Sequence, residues 1–88
     1  MAHYIQNKNI LVRTTDNENI LFNPENGELH KVNAHALFVW QCVKRLSSLN
    51  NIIDKVKRKY SFNSEEDLKK SILKILKYFI KKNVIIEK

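Results

Sequence analysis

The residues equipped for chemistry are few: three histidines (His3, His30, His35) and one cysteine, Cys42. An imidazole beside a thiol is the usual way to make a cysteine nucleophilic, because the base removes the thiol proton. His35 and Cys42 stand seven residues apart, which on a helix is two turns, or about 10 Å along the axis. No hydrogen bond spans that gap. The histidines and the cysteine also miss every metal-ligand spacing, with no Cys-x-x-Cys and no His-Glu-x-x-His. Cys42, set in an apolar run, reads as an inert core thiol, and His30, on an alternating stretch, as a surface residue. One Gly and one Pro share a single turn, Pro24-Glu25-Asn26-Gly27, so no phosphate-cradling loop is expected. The chain reads as no enzyme, with no metal and no cofactor. It reads as something that holds a partner.

The elements that would present a holding surface follow from the pattern. Ile10 to Thr14 is a β-branched stretch, Asp16 to Asn19 a polar turn, and Glu18 to Asn23 a second strand. In Pro24–Gly27, proline presets φ and Asn-Gly supplies the positive φ of a tight reversal. Glu28 to Val32 then alternates, with Leu29 and Lys31 on one face and Glu28, His30 and Val32 on the other. Asn33 is a helix cap, and Ala34 to Leu46 is apolar nearly all round, as in a central core helix. Ser48 caps a second helix to about Tyr60, and Ser61-Phe62-Asn63 is a short connector. Ser64-Glu65-Glu66-Asp67 opens a third helix, 65–82, with acids where the helix dipole favours them. Its core arc holds Leu68, Ile72, Ile75 and Phe79. Leu73, Leu76 and Ile80 widen the arc on one side, with Lys69 and Lys77 beside them, while Lys70, Lys74 and Lys81 lie opposite. Asn83 suits a left-handed cap, and Val84-Ile85-Ile86 a closing strand or extended tail. The expectation is an α+β fold, winged helix-turn-helix-like, with a three-stranded antiparallel N-terminal sheet followed by three helices, all in one domain over residues 1–88.

The chain of 88 residues has 43% apolar residues and a formal charge of +7. The size excludes the large α/β enzyme folds, and no run approaches the length of a membrane span. A lone cysteine suggests no oxidising compartment. A soluble cytoplasmic domain, without membrane attachment, is expected. Residues 1–48 carry +1 and residues 49–88 carry +6. Such a basic half attracts anions, although lysine, asparagine and isoleucine abundance is also what an AT-rich genome writes on any solvated surface. Two uses fit helices packed on a small sheet. One is a DNA-binding winged helix, which the acids Glu65, Glu66 and Asp67 oppose at the end that should meet phosphates. The other is capture of an extended peptide along the edge of Glu28–Val32.

The stretch Asn23-Pro24-Glu25-Asn26-Gly27-Glu28-Leu29-His30-Lys31-Val32-Asn33, followed by a helix with small residues and Trp40, resembles the PQQ-biosynthesis protein D (PqqD) family. Its signature is an (Asp/Asn)-Pro-x-x-Gly turn, a short strand ending in an apolar residue and Asn, then such a helix. The similarity continues through Ser48-Leu49-Asn50-Asn51-Ile52-Ile53, Tyr60 and Lys82-Asn83-Val84-Ile85, about residues 10–86 in all. Glycines usual in the family are replaced here by Leu46-Ser47-Ser48, Ser61 and Asn83. The resemblance implies a recognition element for ribosomally made, post-translationally modified peptides. Such a domain binds the leader of a precursor peptide by strand addition and presents it to a modifying enzyme, such as a radical SAM maturase, or to a leader peptidase. Carried over, it selects Glu28, Leu29, His30, Lys31 and Val32 as the strand wall of the site. Lys69, Leu73, Leu76 and Lys77 become the helix wall. No nucleic-acid partner is expected, and the resemblance implies pyrroloquinoline quinone as a pathway product and not a bound cofactor.

Overall fold

The computed structural model describes residues 2–61 and 64–88. Phe62 and Asn63, in the expected connector, lie outside the described residues. The chain runs β1 (His3–Gln6), β2 (Leu11–Thr14), β3 (Asn19–Asn23), β4 (Glu28–Val32), α1 (Ala34–Gln41), β5 (Ser47–Ser48), α2 (Leu49–Lys59), α3 (Glu65–Lys81) and β6 (Ile85–Glu87). The fold is α+β, and the expected antiparallel meander is present in the order β2-β3-β4. Leu21 pairs with His30 and Phe22 with Leu29, so period-2 alternation separates two faces. Leu21 and His30 face the helices and are buried, whereas Leu11 and Leu29 on the outer face are 57% and 64% exposed. Gly27 closes the β3–β4 hairpin at φ +76, where a side chain is strained by its own backbone.

Capping sets the helix starts where the sequence places them. The side chains of Asn33, Ser48 and Ser64 accept from the backbone N–H of Ala36, Asn51 and Asp67, each three residues on. Beyond Lys81 the chain leaves α3 through Asn83 at φ +60, a left-handed position that asparagine tolerates.

Two features depart from the sequence reading. The first is a second sheet, β5-β1-β6, in which the poorly patterned N-terminal residues form the middle strand. Their partners, Ser47–Ser48 and Ile85–Glu87, are remote in sequence, so nothing local announces the pairing. The second is the early end of α1, at Gln41 and not near Leu46. Past Cys42 the chain turns so that the Val43 carbonyl accepts from the Gln6 N–H at 3.0 Å and Ser47 reaches β1. Pairing with β1 overrides a helical pattern that propensity alone would continue.

The core lies between the helices and the two sheets. Val39, Trp40 and Val43 meet Ile52 and Val56 of α2, with Leu68, Ile72, Leu76 and Phe79 of α3 beside them. Leu21 closes the core from the meander, Tyr4 and Ile85 from the second sheet, and Val84 from the segment just before β6. Cys42 is buried there, and burial pushes its thiol pKa up, opposed by Lys55 and Lys59. That is the condition of an unreactive thiol.

Candidate peptide-binding site

β4 bonds to β3 along one margin, and among the described residues no strand bonds to the other. Its free margin borders a groove of ≈ 320 Å³ lined by Lys31, Val32, Asn33 and Ala36 on one side. Lys74, Ile75, Tyr78 and Phe79 of α3 line the other. The floor is apolar, from Val32, Ala36, Ile75 and Phe79. Both lips carry a cation. Lys31 is 3.0 Å from Glu18 and stays well exposed, while Lys74 has no carboxylate within salt-bridge distance among the described residues. A groove with unpaired backbone on one wall and an apolar helix on the other matches an extended peptide whose alternate side chains point to α3. Its lips favour acidic neighbours to those anchors.

The two walls are tied together beneath the groove. His30, expected at the surface, is only 5% exposed because its side of β4 faces the helices. Its Nδ1 lies 3.3 Å from the Tyr78 hydroxyl, and the two rings meet edge to face with centroids 6.0 Å apart. Glu28 approaches from the same face of β4, its carboxylate 3.9 Å from His30 Nε2. Further along, the hydroxyl of Ser71 on α3 is 3.4 Å from His35 Nε2 on α1.

Of the residues selected from the sequence, the structure brings Lys31 and Val32 to the groove and His30 beneath it. Glu28 and Leu29 complete the strand, Leu29 pointing to the outer face. The selected helix residues are placed elsewhere. Leu76 is 1% exposed, inside the core. Lys69 lies in a different recess with Asn50, Ile53, Asp54 and Glu65, toward α2. Leu73 and Lys77 are absent from the groove lining. The reason is rotational. The buried arc of α3 has two flanks, and Leu73 lies about 160° round the helix from Ile75. Its neighbours turn the Ser71–Ile75–Tyr78 flank toward α1 and β4. The sequence signal for that flank was an aromatic, Tyr78, one turn from Ile75.

No helix is long and apolar enough to cross a membrane, and no cluster able to hold a metal exists among the described residues. Among curated proteins, no sequence matches the chain. Two solved structures share its fold. One is that of TbiB1 in complex with the TbiA(beta) leader peptide, at 15% identity and TM-score 0.78, covering 93% of this chain and 94% of that one. The other is of a lasso peptide synthetase B1 complexed with the leader peptide, at 17% identity and TM-score 0.77, covering 94% and 96%. The sequence pattern of coenzyme PQQ synthesis protein D matches residues 18–85, from the second strand of the meander to the start of β6. With that match spanning the turn, the free strand and all three helices, the chain belongs to the PqqD family.

Proposed function

We propose that this protein is a non-catalytic adaptor that binds the leader of a ribosomally synthesised precursor peptide and presents the remainder to a modifying enzyme or leader peptidase. The observation that carries the reading is the unpaired margin of β4 beside the apolar groove of α3. An added strand gains backbone hydrogen bonds worth roughly 0.5–1.5 kcal/mol each, and one or two apolar anchors in the groove supply the rest. The similar structures, solved with leader peptides bound, support the same use. An adaptor also needs a surface for its enzyme. The outer face of the meander, with Leu11, Ile20, Phe22 and Leu29 side by side, offers an apolar one. The acids of the first turn of α3, with Lys57 already taken by Glu65, leave that end poorly suited to a phosphate backbone.

The test is calorimetric titration with synthetic leader peptides from short reading frames encoded next to this gene. N-methylation of alternate peptide amides should abolish binding in one register and spare it in the other, because only one set of amides faces β4. Ile75→Asp should weaken binding by about 2 kcal/mol or more, whereas Leu73→Asp, on the opposite flank, should leave it nearly unchanged. Equal losses from the two variants with both folds intact by circular dichroism, or indifference to N-methylation, would refute the groove.

A further inference from the structure

A further recess lies between α1 and α2, of ≈ 470 Å³, lined by Phe38, Gln41, Cys42, Lys55, Arg58 and Lys59. It shares no lining residue with the peptide groove. Lys55, Arg58 and Lys59 are spaced i, i+3 and i+4, so one face of α2 directs all three at it. No carboxylate lines it. Among the described residues three other cations do have a carboxylate within reach, Lys31 with Glu18, Lys57 with Glu65 and Lys70 with Glu66. These three have no acidic partner among the described residues. Lys55 donates to the Cys42 carbonyl at 3.1 Å, and the Lys59 ammonium sits 4.6 Å over the Phe38 ring. Those contacts hold the two lysines in place without neutralising them. Like charges one helical turn apart cost stability by themselves, which an anion in the recess would reverse.

We infer that this recess docks an acidic segment of a partner protein, two or three carboxylates flanking one apolar side chain. The cations meet the carboxylates, and the floor of Phe38 and Cys42 takes the apolar group. A nucleic acid fits less well. Three cations make a short patch bounded by Asp54 and by the Lys57–Glu65 pair, whereas duplex binding usually recruits about 6–10 phosphate contacts. That the partner is the enzyme receiving the peptide rests on the adaptor reading; the recess itself does not.

The test uses the full chain, 15N-labelled, and an acetylated, amidated pentapeptide of four glutamates around a central leucine. Expected are saturable amide shifts at Phe38, Gln41, Cys42, Arg58 and Lys59, with Lys31, Val32, Ile75 and Tyr78 unmoved. The exposed double variant Arg58→Gln/Lys59→Gln should bind roughly fivefold more weakly, and the glutamine analogue of the peptide should not bind. The inference falls if the shifts spread over Lys70, Lys74 and Lys81, or if the double variant or the glutamine peptide binds as well. It also falls if a short DNA duplex moves the same amides at lower concentration. A leader titration read at Ile75 and Tyr78 reports separately on the peptide groove, so each site can fail alone.

Discussion

At the scale of single residues, the contact between Tyr78 and His30 joins the two walls that a peptide would separate. The Tyr78 hydroxyl is 3.3 Å from Nδ1 of a buried imidazole, so losing it leaves a polar atom without its partner. Tyr78→Phe should therefore cost about 1–2 kcal/mol in urea unfolding. A loss indistinguishable from zero would mean that the contact is incidental. His35 makes a pH prediction. Burial lowers its pKa below the ordinary 6.5, so the unfolded chain binds a proton that the folded chain resists. The contribution is whole above 6.5 and fades as pH falls through 6.5 toward the folded value. The urea midpoint of the wild type should thus drop on acidification more than that of His35→Gln, and parallel curves would contradict it. Cys42 shows a position read correctly from its surroundings: the apolar run around it is buried, and burial pushes its thiol pKa up.

At the scale of elements, caps and turns carry the information. Asn33, Ser48 and Ser64 were recognisable as caps because a short side-chain oxygen satisfies an N–H that the first helical turn cannot. Asn83 ends α3 in the left-handed region at φ +60. Asn83→Gly should hold or raise the melting temperature, while Asn83→Val should lower it by several degrees, since a β-branched residue resists that φ. Identical melting of the two variants would show that the cap geometry is not maintained. Strand β4 was legible for the same local reason, an alternation bounded by Gly27 and Asn33. The end of α1 was not, because residues 42–46 are helix-compatible and leave the helix only to meet β1.

At the scale of the whole molecule, two small sheets brace the helices from different sides, and the chain's ends meet in one of them. The His3 N–H donates to the Lys88 carbonyl at 2.9 Å, and the Asn7 side chain donates to the Asn83 carbonyl at 2.8 Å. Among the described residues, β1 alone links β5 to β6 in that sheet. Deleting residues 2–7 should leave Ile85 and Val84 uncovered and turn a cooperative urea transition into a broad one, and a sharp transition at the wild-type midpoint would show the strand to be dispensable. The peptide groove is likewise a property of the assembly. Sequence by itself determined the caps, the Pro-Glu-Asn-Gly hairpin, the free-standing alternation of Glu28–Val32 and the apolar arc of α3, because each depends on neighbours within a turn or two of the chain. Tertiary structure alone decided that β1 pairs across the chain, that His30 lies inside, and that Ile75 and Tyr78 face the strand where Leu73 and Lys77 do not. A helical period states which residues share a face, but the rotation of that face about the helix axis is set only by what packs against it.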